Sequence, residues 1–145
     1  TLLPLPTERA RPARVSHAGA ARHFRLDATL GARVRTLAQA HGMTPFAVLL
    51  ASFQWFLHRH TGADDLVIGT DVDGRERAEL EALIGFFVNV VPLRSRIAAD
   101  GANLASFDAW LDAARQSTWD ALDHRALPFD RIVDALALKR RRDAN

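Results

Sequence analysis

The 145-residue sequence has no cysteine and no tyrosine, one methionine and one lysine. Without cysteine there are no disulfides, thiolate metal sites or cysteine nucleophile, which suits a reducing compartment and leaves the fold to packing and hydrogen bonds. No apolar run approaches the ~20 residues that cross a bilayer, and no basic-then-apolar start marks a signal peptide. The lone methionine, Met43, is internal, so the chain reads as a slice of a longer cytoplasmic polypeptide. A strong charge of one sign is also missing: 19 basic residues oppose 17 acidic ones, for a net +2. Lys139 is the one lysine, so the isoelectric point near 10.3 reflects arginine's high pKa rather than a strongly positive surface. No motif with a docking geometry accompanies the arginines, and neither nucleic acid nor membrane is expected as a partner. What is present, 48% hydrophobic and 25% charged residues, supports an ordinary folded core.

The first sixteen residues, with Pro4, Pro6 and Pro12 among arginines, read as a linker. Alternation of His23, Phe24, Arg25 and Leu26 predicts a short strand. Asp27 then caps a helix carrying Leu30, Val34, Leu37 and Ala38 that closes at Gly42. Thr44 and Pro45 open a second helix, whose apolar residues from Phe46 to Leu57 surround most of the axis and predict burial on more than one side. Leu66-Val67-Ile68 reads as a strand covered on both faces, and Phe86 to Val91 as another that continues past Pro92 to Ile97. Only a short helix fits between them, over Glu79 to Ile84. Ser106 caps a helix from Phe107 to Leu122. Pro128 opens the last one, with a buried stripe of Phe129, Ile132, Val133 and Leu136 and a basic end at Lys139 to Arg142 that complements the helix dipole. Helices alternating with buried strands predict an α/β layered domain.

Direct chemistry is sparse. No serine has the G-x-S-x-G context of an exposed nucleophile. His58 and His60 lie two apart, which on a helix points them in different directions, so they read as solvated imidazoles rather than a metal pair. Asp71-Val72-Asp73-Gly74 has its glycine too early for a calcium loop and reads as a turn, with Gly74 at positive φ and Asp73 bonding its own backbone. Loops after buried strands are common places for binding groups. Asn89 interrupts an apolar strand, where a buried amide must find partners; either it satisfies a neighbouring loop, or it faces a channel and bonds a substrate amide or a carrier's amide-rich arm. His124 to Phe129 reads as a capping turn between two helices. No metal ligands and no catalytic residue are assigned.

Taken in order, these segments resemble the C-terminal lobe of a condensation domain from a nonribosomal peptide synthetase. The resemblance is carried by Leu5 to Pro12, Thr44-Pro45-Phe46 through Arg59, Asp64 to Thr70, Gly74-Arg75, Ile84-Gly85-Phe86-Phe87-Val88-Asn89 with Arg94, His124, Leu127-Pro128-Phe129, and Arg142-Asp143. It implies a fold related to chloramphenicol acetyltransferase, two lobes forming a V around a tunnel. Residues 1–20 would then be the segment joining the lobes, and residues 21–145 the C-terminal lobe, incomplete at its C-terminal end. The implied reaction joins two carrier-bound aminoacyl or peptidyl thioesters through a peptide bond.

The resemblance further implies that Asn89, Asp71, Asp73, Gly74 and Arg75 border the tunnel or bind substrate, while Gly85, Phe87, Arg94, His124, Pro128 and Phe129 are structural. Implied partners are the N-terminal lobe, donor and acceptor carrier proteins and an adjacent adenylation domain. No cofactor is bound directly; the phosphopantetheine arm comes with the carriers. The family's paired-histidine motif, His-His followed three residues later by Asp-Gly, is absent, so the isolated chain is expected to be inactive. Two positions depart from the family pattern: Asp71 and Asp73 stand where proline and alanine are common, and Ala126 where aspartate is frequent. A lobe from an epimerising, cyclising or ester-forming relative, or a noncatalytic carrier-docking module, would read similarly.

Overall fold

The computed structural model describes residues 3–6, 19–75, 77–97 and 106–137. Helix α1, Ala28–Ala40, begins where the Asp27 carboxylate accepts the Leu30 N–H at 2.7 Å. Helix α2, Pro45–Thr61, begins where the Thr44 hydroxyl accepts from Ala47 N, and it ends at Gly62 in the left-handed conformation. After it come β1 (Asp65–Asp73), α3 (Ala78–Glu81), β2 (Val88–Arg96), α4 (Phe107–Asp123) and α5 (Phe129–Ala135). Ser106 caps α4 by accepting from Ala109 N. At α1, α2 and α4 the start thus places a side-chain oxygen against N–H groups that have no partner inside the helix.

β1 and β2 pair antiparallel in unbroken register, from Asp65 opposite Arg96 to Asp73 opposite Val88. Pro92 sits opposite Gly69 within this ladder and breaks no pairing, as the position of a residue without an N–H on an edge strand allows. The period of two turns Leu66, Ile68, Thr70 and Val72 to one face with Val91, Leu93 and Ser95. Beneath that face lies the core. Trp110, Leu111 and Ala114 of α4 pack with Ala47, Val48, Ala51 and Leu57 of α2, Ala38 of α1, Leu66 and Ile97. The buried indole N–H of Trp110 donates to Ala51 O at 2.9 Å, so the largest core side chain leaves no polar atom unpaired. Each fully buried leucine of this core, such as Leu66 or Leu111, contributes about 1.5–3 kcal/mol. A smaller cluster of Leu50, Val91 and Leu93 ties α2 to the sheet.

The α/β class agrees with the sequence, and several local expectations need correction. Residues 23–26 form no strand, and Phe24 is 86% exposed; alternation supplies a face but not a partner to pair with. β1 is covered on one face only, Val67 being 62% exposed. β2 starts at Val88, so Phe86 and Phe87 precede it. Half of the α2 surface is buried, while Phe46, Leu49, Phe53 and Phe56 form a half-exposed stripe, because α1, α4 and the sheet reach only the opposite side. The stripe expected to be buried on α5 instead flanks an open groove of about 840 Å³ against Val67 and Pro92. Residues 1–2 and 7–18 of the joining segment, the basic cluster at 139–142 and Arg142-Asp143 lie outside the described residues. Among the described residues, no helix is long and apolar enough to cross a membrane.

Candidate functional site

At the end of the sheet where β1 stops and β2 starts, the two strand ends and the turn between α4 and α5 meet around a cleft of about 340 Å³. Asp73 and Gly74, residues 86–89, and Arg125, Ala126 and Pro128 line it. Gly74, Phe86, Phe87, Arg125, Ala126 and Pro128 lie outside ladder and helix, so side chains must hold this part of the backbone.

Asn89 holds one wall. Its Nδ2 donates to Arg125 O at 2.8 Å and to Leu127 O at 2.9 Å, and its Oδ1 accepts from Phe129 N at 3.2 Å. Both amide hydrogens are thereby committed to the turn between α4 and α5, which is the neighbouring-loop arrangement of the two that the sequence allowed. The same bonds seat Pro128 as the residue that opens α5 and Phe129 as its first residue. His124 closes α4 from the other side, its Nδ1 donating to Asp120 O at 2.8 Å.

The opposite wall is held by Arg75. Its guanidinium donates to Asp73 at 3.3 Å and to the carbonyls of Leu83 and Gly85 at 3.2 and 3.4 Å, and it lies 4.3 Å from the Phe87 ring centroid. The Asp73 carboxylate also accepts the Arg75 N–H at 3.1 Å, the local backbone bond expected of an Asx turn. Gly74 departs from expectation, since its φ is not positive. Its need for glycine is space: a Cβ there would stand 2.5 Å from Phe87 O, the atom that accepts the Gly74 N–H.

The remaining candidates are not all drawn together. Asp71 lies on β1 opposite Val90, outside the residues lining the cleft, and faces the open side of the sheet. Arg94 is at the far end of β2, gripping Asp65 through two bonds of 2.8 and 2.6 Å. That hydrogen bonding, with the guanidinium charge, holds the Asp65 carboxyl below the ordinary carboxylate range. Sequence reasoning missed Phe86 and Arg125 as lining residues, and nothing in their spacing signals it. It also missed His41, whose two ring nitrogens approach Asp108 and Asp112 at 3.5 and 3.2 Å.

His58 bonds Ala63 O beyond the end of α2 while His60 bonds Phe56 O one turn back, so the two imidazoles have separate partners. Among the described residues, no group of three or more histidines and carboxylates is placed to hold a metal, and no histidine lines the cleft. As arranged, the cleft can shape and position a substrate through backbone and aromatic surface.

Comparison with known proteins bears on the whole chain. The family model described as condensation domain matches residues 1–145. A linear gramicidin synthase of Brevibacillus parabrevis is 42% identical over 139 residues, 96% of this chain and 2% of that protein. A phosphinothricin tripeptide synthetase of Streptomyces viridochromogenes is 42% identical over 139 residues, 96% of this chain and 12% of that protein. This chain thus spans a small part of these relatives. Among solved structures, a four-domain nonribosomal peptide synthetase bound to AMP and glycine superposes with a TM-score of 0.88 at 28% identity, covering 97% of this chain and 10% of that one. The X-domain from teicoplanin biosynthesis superposes at 0.86 with 30% identity, covering 97% of this chain and 30% of that one.

Proposed function

The chain belongs to the condensation-domain family of nonribosomal peptide synthetases, and on that premise we propose that it works as the C-terminal lobe of such a domain. In this reading residues 1–20 join the lobes and residues 21–145 form one wall of the substrate tunnel with a carrier-docking surface. The amine of an acceptor aminoacyl thioester attacks the donor's thioester carbon; the new C–N bond forms as the C–S bond breaks. The amine proton is balanced by the phosphopantetheine thiol that leaves. Such a reaction gains most from alignment of the two thioesters, and a tunnel wall of fixed shape contributes to that. The observation that carries the reading is the cleft at the strand ends, lined by Asp73 and Gly74, Phe86 to Asn89, and Arg125, Ala126 and Pro128 of the turn that Asn89 holds. The carriers and an adenylation domain are the partners, in the cytoplasm, and their phosphopantetheine is the one prosthetic group involved.

The isolated chain lacks the paired-histidine motif and is proposed to be inactive alone. The test is a condensation assay with donor and acceptor carrier proteins loaded with aminoacyl thioesters. No peptide is expected from the 145 residues alone, and peptide is expected when they are joined to an N-terminal lobe bearing the motif. Peptide from the chain alone would overturn the proposed inactivity; none from the joined protein would overturn the peptide-forming role. The X-domain neighbour, solved also in complex with OxyB, favours a second reading in which such a fold docks a partner protein. Saturable binding of a labelled holo carrier by a joined protein that makes no peptide would select it.

A further inference from the structure

We infer that Arg75 is a positioning residue, whose guanidinium fixes the Phe86–Phe87 wall of the cleft and so sets how tightly one of the two carrier-bound substrates is held. The inference rests on the reading of this cleft as part of a substrate tunnel. Residues 82–87 connect α3 to β2 without regular structure. Two things tether their far end to β1: the Gly74 N–H donated to Phe87 O at 2.8 Å, and Arg75. One nitrogen of Arg75, Nη2, spans the carbonyls of residues 83 and 85, while Nη1 is held by Asp73. A planar fork with donors on two nitrogens meets these three oxygens at once.

The guanidinium also covers the Phe87 ring from one side, and Gly85 bounds it on another, since a Cβ at Gly85 would stand 2.9 Å from Phe87 Cε2. Phe87 is thus lodged between Arg75 and Gly85, and its neighbour Phe86, 89% exposed, is projected at the cleft. The three-quarters-buried Arg75 side chain cannot itself be the main contact for a substrate. Asp73 takes part in the same arrangement: its Oδ1 accepts from both the Arg75 guanidinium and the Arg75 N–H.

Two variants disturb this wall from opposite sides. Arg75→Lys keeps the charge but removes the second nitrogen, which Asp73 holds, and the planar group over Phe87, whereas Gly85→Ala pushes on the Phe87 ring and keeps the Arg75 side chain. In the 145-residue chain, both are expected to speed hydrogen exchange at the Gly74 amide by about tenfold while α4 amides are unchanged. In the intact condensation domain with loaded carriers, both are expected to raise KM for one substrate about tenfold, leaving the other KM and kcat within about twofold. A merely structural role would instead lower activity with both substrates together. Unchanged Gly74 exchange in both variants, or an equal change in both KM values, overturns the inference. A wild-type domain that forms no peptide tells against the tunnel reading, and the exchange measurement still decides whether Arg75 holds the wall. Should Arg75→Lys fail to fold, Gly85→Ala carries both measurements.

Discussion

The helical core and the strand-end cleft are both ordered, by opposite means. Around Trp110, order comes from area: apolar side chains from three helices and the sheet exclude water, and a single indole hydrogen bond completes the set. Around Asn89 and Arg75 there is little buried area, and order comes from side chains donating to backbone carbonyls of irregular segments. Burial is non-directional and tolerates small shifts, whereas hydrogen bonds act over tenths of an ångström. The core therefore carries stability and the cleft carries shape.

Substitutions should separate the two. The largest effect is expected from Trp110→Ala, which empties a fully buried site and leaves Ala51 O without the indole donor; about 3–5 kcal/mol should be lost in urea unfolding, enough to unfold a marginal chain. Retention of most of the stability would show that the core is not the main source. Next comes Asn89→Ala, expected to cost about 1–2 kcal/mol and to raise hydrogen exchange chiefly in residues 125–129. A loss spread evenly over α2 and α4 would merge the two regions into one cooperative unit.

Smaller still is the Asp65–Arg94 pair. Because Arg94 lowers the folded-state pKa of Asp65, the pair's contribution is fully present above the unfolded value of about 3.9 and fades as pH falls through the lower folded value. Arg94→Ala should thus lower the unfolding midpoint at about pH 6, with the gap to wild type closing below about pH 4; a gap independent of pH would assign the effect to packing. Least affected should be stability in Phe53→Ser with Phe56→Ser, within about 0.5 kcal/mol per site, because both rings are half exposed. The same variant should reduce any concentration-dependent association seen by light scattering, and a wild-type chain monodisperse at high concentration would remove that role from the stripe.

The helices were legible because their signals are local. Asp27, Thr44 with Pro45, and Ser106 each mark a start within three residues of the N–H they satisfy or stand beside. Strand extents were less so, since pairing depends on residues far along the chain. Phe24 has the alternation of a strand and no strand to pair with among the described residues, whereas Asp73 has weak strand propensity and is paired with Val88. In the site, a polar residue inside an apolar run singled out Asn89, but not that its partners lie 36 to 40 residues on. Arg75 was marked by resemblance alone; the carbonyls it meets at positions 83 and 85 carry no trace in residue identity.

The indole pair in the core has an optical consequence. Trp55 and Trp110 lie 6.2 Å apart with their rings inclined at 36°, close enough for their ultraviolet transitions to couple as an exciton. The third tryptophan, Trp119, is on the outer side of α4, half exposed. A circular dichroism couplet from the pair would report the docking of α2 on α4, while Trp119 emission would report the solvent. Folding of the chain can be followed from its own chromophores without a label.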